Sequence, residues 1–141
     1  MQAGNGYAES DDRGATWRRS GDGLEHHYLY GLAVDSGDPG TVVISAASSP
    51  FAAHSPDNAE SYVYRREAAG PWQLAMAGLP SASGMTVPVF AAHAEKAHHF
   101  YAASNQGLFR SQDAGRNWEA IPLPADAVAH VSNVRAIAVE G

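Results

Sequence analysis

The sequence of 141 residues predicts an all-β fold in which four-stranded antiparallel blades form an arc of a β-propeller. Three observations support this prediction. Short apolar segments alternate with turns rich in Gly, Pro and Asp, which is typical of antiparallel strands. A pattern containing an acid and a tryptophan recurs three times. An order of four strands also recurs, and 46 residues separate the matched tryptophans Trp72 and Trp118.

The recurring pattern is Ser-x-Asp-x-Gly-x-Thr-Trp in its first copy, and all three tryptophans of the chain fall in its copies. The first copy consists of Ser10, Asp12, Gly14, Thr16 and Trp17. The second has identical spacing and consists of Ser111, Asp113, Gly115, Asn117 and Trp118. A degenerate copy between them keeps only the acid and the tryptophan in the same frame, as Arg65, Glu67, Ala69, Pro71 and Trp72.

Each residue type in the pattern has a reason to form a turn. The Asp carboxylate accepts hydrogen bonds from backbone amides, the Gly takes a left-handed conformation, and the hydroxyls bind the flanking backbone. The tryptophan is expected to be buried under its hairpin, with a partner for its indole N–H. We expect Glu67 and Ala69 to spoil the turn of the degenerate copy. Catalysis or calcium binding by Asp12 and Asp113 is the less favoured alternative.

The pattern resembles the Asp box, the signature of the BNR repeat family of β-propellers. That family includes sialidases, sortilin-type receptors, xyloglucanases and photosystem assembly factors. The resemblance implies that the box is structural and lies on the hairpin between the third and fourth strands of a blade. It also implies that the box is remote from the substrate cleft.

The strands can be assigned in chain order. Residues 6–10 and 16–19 form a hairpin around the first box, because a tight turn separates them. The next unit has four apolar or alternating segments, at residues 28–34, 41–47, 61–66 and 72–76. The following unit repeats that order, at residues 86–92, 98–103, 107–111 and 117–121. The last segment, residues 134–140, repeats the start of a unit.

These strands divide the chain into four parts. Residues 1–27 are expected to hold the last two strands of a blade with the first box. Residues 28–80 form a full blade with the degenerate box and a long loop at residues 48–60, which contains a twelve-residue insertion. Residues 81–124 form a full blade with the second good box, and residues 125–141 supply the first strand of a further blade.

Closure of a propeller needs at least about four blades. We therefore expect the missing blades to come from the same longer chain or from a second copy. The alternative fold is a β-sandwich with a chance resemblance between hairpins, since sandwiches also have short strands and frequent turns.

Composition excludes several classes of partner. The formal net charge of −6 disfavours nucleic acid, because binding to phosphates requires positive charge. The chain has no cysteine, so it has neither a disulfide framework nor a thiolate metal site. No apolar run is long enough to span a membrane, and residues 1–6 lack the regions of a signal peptide. No cofactor is expected, and no feature indicates the cellular location.

Candidate binding residues are expected at the end of the blades opposite the boxes. They are polar residues of the long loop and of the connections between blades: His26, His27, His54, Asp57, Glu60 and His130. The alternative is that they form a solvated polar surface. Metal binding by adjacent histidines is not expected, because neighbours in a strand point to opposite faces.

Two functions remain open. The first is a non-catalytic propeller module or fragment that acts as a protein- or glycan-binding scaffold, which is the favoured hypothesis. The second is a fragment of a glycoside hydrolase, of sialidase or xyloglucanase type, whose catalytic residues lie largely outside this chain. No pair of carboxylates and no arginine triad can be assigned from the sequence, so no catalytic residue is predicted.

Overall fold

The computed structural model describes residues 2–3, 6–68 and 70–122, and their regular structure is almost entirely antiparallel β-sheet. The predicted strand within residues 125–141 and the candidate binding residue His130 lie outside the described residues. The all-β prediction is confirmed, and the two larger sheets are four-stranded and antiparallel, as expected for propeller-like blades.

Three sheets follow one another along the chain. The first contains β1 (Gln2–Ala3), β2 (Gly6–Glu9) and β3 (Arg18–Arg19). The second contains β4 (Tyr28–Asp35), β5 (Asp38–Ala47), β6 (Ser61–Arg66) and β7 (Gln73–Leu74). The third contains β8 (Val89–Ala92), β9 (Phe100–Ser104), β10 (Gly107–Ser111) and β11 (Glu119–Ile121). Within each sheet, neighbours in the chain are neighbours in space.

The segment at residues 48–60 is not a plain loop, because it contains the short helix α1 (Pro50–His54). The Ser49 side chain caps this helix by accepting a hydrogen bond from the backbone N–H of Ala52, and Pro50 occupies the first turn. A serine followed by proline is a common helix start, because the proline has no N–H to leave unbonded. The sequence reading missed this signal.

Strand register places the insertion and the boxes at opposite ends of the second sheet. Tyr28 pairs with Ala47 and Ala47 with Ser61, so the segment at residues 48–60 leaves the sheet at this end. We call it the loop end. The β4–β5 turn and the degenerate box between β6 and β7 lie at the other end, which we call the box end.

The core is made by packing between successive sheets. One face of the second sheet packs against Tyr7 of the first sheet and against Leu24, which follows that sheet in the chain. The other members of this cluster are Leu29, Val42, Ile44, Ala46, Tyr64 and Trp72. The other face packs with the third sheet, through Ala33, Val43, Val63, Ala75, Phe90, Phe100, Ala102, Phe109 and Trp118. Because both faces are covered, β5 is apolar on both sides.

A buried carboxylate joins two sheets at the box end. Asp35 accepts hydrogen bonds from the backbone N–H groups of Gly37, at 2.9 Å, and His98, at 2.8 Å, and its other oxygen lies 2.5 Å from Nδ1 of His98. His98 has a positive φ of 68°, an unusual conformation for a residue with a side chain. Burial alone would raise the pKa of Asp35, but the hydrogen bonds outweigh it and hold that pKa below its usual value.

This carboxylate predicts a loss of stability in acid. The folded-state pKa of Asp35 lies below its unfolded value, so its contribution is fully present above the unfolded pKa of about 3.9 and is lost as the pH falls through the folded pKa. We expect the free energy of unfolding, measured by urea denaturation, to decrease below about pH 4. Asp35→Asn should make this decrease shallower, and an unchanged pH dependence in that variant would contradict the assignment.

Candidate functional site

The two good boxes form the same hydrogen-bonded turn. In the first, the Asp12 carboxylate accepts the backbone N–H of Thr16 at 2.8 Å, and the Ser10 hydroxyl accepts that of Gly14 at 2.8 Å. In the second, the Asp113 carboxylate accepts the backbone N–H of Asn117 at 2.9 Å, and the Ser111 hydroxyl accepts that of Gly115 at 2.8 Å. The serine and the acid are also hydrogen-bonded to each other in both copies.

These bonds make the acids of the boxes poor catalysts of proton transfer. Hydrogen bonds from the hydroxyl and the backbone of Thr16 lower the pKa of Asp12 to about 2. For Asp113, burial would raise the pKa, but hydrogen bonds from Asn117 and Ser111 outweigh it, so the pKa is lowered. A general acid at neutral pH needs a raised pKa instead. Both carboxylates therefore act to stabilise the turn.

The degenerate copy keeps one backbone hydrogen bond of the turn but not the bonds from the acidic side chain. The carbonyl of Glu67 accepts the N–H of Gly70 at 2.8 Å, as the carbonyl of Asp12 accepts that of Ala15 at 3.3 Å. Ala68 has a positive φ of 49°, and Ala69 lies outside the described residues. The side chain of Glu67 forms ion pairs with Arg65 and Arg116 instead of bonds within the turn.

The degenerate copy also differs in length. In this copy the residue after the tryptophan is Gln73, and it pairs with Arg65 in the neighbouring strand. In the second good box the corresponding residue is Glu119, and it pairs with Arg110. Counted from these pairs, the degenerate turn is one residue shorter than the good box. The sequence alignment of the degenerate copy with the good boxes therefore agrees with the strand pairing only from the acidic residue onward.

Two of the three tryptophans are buried between sheets. Trp72 donates its indole N–H to the carbonyl of Ser20 at 2.7 Å, and Trp118 donates to the carbonyl of Ala75 at 3.1 Å. Trp17 is 50% exposed and donates to the carbonyl of Gly14 in its own turn. The expectation that it is buried is wrong, because no sheet precedes it in the part of the chain that the structure describes.

One cluster of polar aromatic residues lies at the loop end of the second sheet. The ring of His26 stacks on Tyr62, with 4.1 Å between ring centroids, and Nδ1 of His26 lies 2.9 Å from the hydroxyl of Tyr64. The Tyr62 hydroxyl donates to the Glu60 carboxylate at 2.5 Å. The structure thus brings together two of the predicted residues, His26 and Glu60.

A second aromatic cluster lies at the same end, where α1 meets β4. His54 contacts the edges of two tyrosine rings, and its Nε2 lies 3.0 Å from the hydroxyl of Tyr28. The second ring is that of Tyr30, at 4.7 Å between centroids. Phe51 stands on the same helix and is 75% exposed. The two clusters lie on opposite faces of the second sheet, because Tyr28 and Tyr62 pair with the adjacent residues 47 and 46 of β5. We call the two clusters together the loop-end aromatic surface.

The other predicted residues do not join these clusters. His27 and Asp57 are exposed and form no hydrogen bond or ion pair with the described residues. No group of three His, Asp or Glu residues that could hold a metal ion occurs in residues 2–3, 6–68 and 70–122. The sequence reading missed Tyr28, Tyr30 and Tyr62. The pattern Tyr-x-Tyr at the loop end of β4 and β6 was the available signal, since residues i and i+2 share a face.

A groove of about 670 Å³ at the box end is the alternative location for a site. Its lining includes Tyr7, Glu9, Trp17, Arg18 and Arg66. Glu9 pairs with Arg66 at 2.8 Å and with Arg18 at 3.1 Å, so these charges neutralise one another. Burial would raise the pKa of Glu9, but these partners lower it. The groove therefore offers few uncommitted charged groups to a ligand.

The fold and the packing of the sheets define a propeller-like protein. Among solved structures, the chain is similar to an ancestral GH74 enzyme, a member of a β-propeller family, with a TM-score of 0.52 and 17% identity. The match covers 89% of this chain but 23% of that enzyme, so the chain spans less than a quarter of its length. No protein-family model and no curated protein matches the sequence. No helix among the described residues is long and apolar enough to cross a membrane.

Proposed function

We propose that the protein is a non-catalytic β-propeller module of the Asp-box type, which binds a glycan through the loop-end aromatic surface. One observation carries this proposal, namely that the end remote from the boxes holds five aromatic or imidazole rings and one carboxylate, in one cluster on each face of the second sheet: His26, Tyr62 and Glu60 on one face, and Tyr28, Tyr30 and His54 on the other. The exposed ring of Phe51 extends the same surface.

The chemistry of these groups suits a sugar. Aromatic rings offer rigid apolar area at low cost in conformational entropy, against which the C–H face of a pyranose can pack. Hydroxyls and imidazoles beside them offer hydrogen bonds, and binding sites combine apolar lining with a few such polar groups. The pairs of Tyr62 with Glu60 and of Tyr28 with His54 fix the orientation of these polar groups before a ligand arrives.

The carboxyl groups support binding more than hydrolysis. A glycosidase needs a general acid with a raised pKa beside a second carboxylate. The acidic side chains with a shifted pKa in the described residues are all shifted downward: Glu9, Asp12, Asp35, Glu67 and Asp113. Each is bonded to backbone amides, hydroxyls or basic side chains, which stabilise its charged form.

The proposal predicts that Phe51→Ala weakens glycan binding by about five-fold or more, because truncation of an aromatic residue that contributes to binding typically costs more than about 1 kcal/mol. Titration calorimetry with β-glucan and sialylated oligosaccharides would measure this. Leu74→Ala is the matched control, because Leu74 is also an exposed apolar residue but lies on β7 and outside the loop-end aromatic surface. Failure of the unmodified protein to bind any of these glycans, or equal weakening in both variants, would contradict the proposal.

The alternative function is a fragment of a glycoside hydrolase, which the similarity in fold to a GH74 enzyme favours. In that case the full-length protein would turn over fluorogenic sialosides or β-glucans, and turnover that both Asp57→Ala and Glu60→Ala abolish would overturn the proposal of a binding module. Binding without turnover is the outcome that we expect.

A further inference from the structure

Successive sheets of this chain are joined in the same way twice. The acceptor of the indole N–H stands three residues after the tryptophan of the preceding box, as Ser20 after Trp17 and Ala75 after Trp72. The backbone N–H of the arriving tryptophan also bonds to the preceding sheet, from Trp72 to Asp22 at 2.7 Å and from Trp118 to Ala77 at 2.8 Å. Each junction therefore has two halves. The donor half is the tryptophan of the later sheet, and the acceptor half is the face of the earlier sheet with the carbonyls that accept its N–H groups.

The donor half of a third junction is exposed. Trp17 belongs to a well-formed box, yet half of its surface is open to solvent, whereas Trp72 and Trp118 are 3% and 5% exposed. An exposed tryptophan of this kind presents a large apolar ring to a partner, while its indole N–H bonds to the carbonyl of Gly14 in its own turn.

The acceptor half of a third junction is also present, on the third sheet. In the second sheet, the residues that receive the third sheet are Val43, Val63 and Ala75, which are almost fully buried. Strand register assigns their counterparts in the third sheet as Tyr101, Leu108 and Ile121. These three are only partly buried. Ile121 stands three residues after Trp118, the spacing at which the other acceptors occur.

We propose that two copies of this chain associate head to tail, with Trp17 of one copy packed against Tyr101, Leu108 and Ile121 of the other. The indole N–H of Trp17 then exchanges its bond to the carbonyl of Gly14 for one to the backbone carbonyl of Ile121. Such an interface uses two different surfaces, so it can add further copies in the same sense and either close a ring or form an open chain. A second copy is the occupant because this chain carries both complementary halves.

The new junction differs from the internal ones at one position. Gly23 and Gly78 each stand six residues after a tryptophan and lie against the backbone of the next one. At that spacing after Trp118 the sequence has Pro124, which lies outside the described residues. The junction between copies therefore depends on the indole and the three apolar side chains, and we expect it to be reversible.

Sedimentation velocity over a range of concentrations tests the proposal on the full chain. We expect the unmodified protein to show concentration-dependent association, and Trp17→Ala to lower its association constant at least ten-fold. Tyr101→Glu should do the same from the other surface. An equimolar mixture of the two variants should recover a dimer, because each variant retains the half that the other has lost.

Phe51→Ala is the control, because it also removes an exposed aromatic ring but lies at the loop end. It should associate like the unmodified protein. Circular dichroism would establish that each variant is folded. If Tyr101→Glu does not fold, the effect of Trp17→Ala on association decides the question. A monomer at every concentration of the unmodified protein would overturn the proposal, as would association that Trp17→Ala leaves unchanged or a mixture of folded variants that stays monomeric.

Discussion

Replacement of Trp118 by alanine is expected to lower the free energy of unfolding by about 3 to 5 kcal/mol, the usual cost of removing a buried aromatic ring. The ring lies between the second and third sheets, where it packs near Phe90 with 5.9 Å between ring centroids. Its removal would leave a cavity in that cluster. It would also leave the carbonyl of Ala75 without the indole donor. Urea denaturation followed by circular dichroism would measure the loss.

Trp17→Ala is the matched control for this prediction. It removes the same side chain from the same pattern, but Trp17 is half exposed and its N–H bonds within its own turn. At a protein concentration low enough to keep the chain monomeric, we expect a change of less than about 1 kcal/mol, as is usual for exposed positions. Equal losses in the two variants would show that burial between sheets is not what makes Trp118 important.

Much of the fold follows from local patterns in the sequence. Strand β5 could be found because its apolar run is bounded by turn residues, and the boxes because each turn needs particular residue types in a fixed order. The antiparallel order of strands then places the insertion at residues 48–60 at the end opposite the degenerate box, since successive connections alternate between the two ends of a sheet.

What the sequence did not predict depends on contacts between distant residues. The exposure of Trp17 reflects which sheets surround it, and no property of its own box distinguishes it from Trp118. The side chain of Glu67 forms ion pairs with Arg65 and with Arg116 of the next box, whereas the acids of the good boxes bond to their own turns. These partners can be paired only when the packing of the sheets is known.

The order of strands places the candidate residues at the loop end, but their contacts could not be predicted from the sequence. His26, His54 and Glu60 were identified because they are polar residues in connections at one end of the blades. The tyrosines that contact them lie in β4 and β6, where alternating apolar and aromatic residues are expected for packing alone. The distinction between a tyrosine of the core and one of the surface needs the register of the strand and the position of α1.

The second prediction with a large effect concerns Gly78, which the sequence reading did not single out. Gly78 has a φ of +87°, and a Cβ there would overlap the carbonyl oxygen of Trp118 and lie 2.8 Å from its carbonyl carbon. We expect Gly78→Ala to cost about 2 to 5 kcal/mol, the sum of the left-handed strain and the overpacking. Gly84→Ala separates the two causes, because Gly84 has a similar φ of +93° but only a flexible glutamine side chain nearby, at 3.8 Å. Gly84→Ala should therefore show the strain alone, about 1 to 2 kcal/mol. If urea denaturation gave the same loss for both variants, the close approach of Gly78 to Trp118 would not contribute to the junction between the sheets.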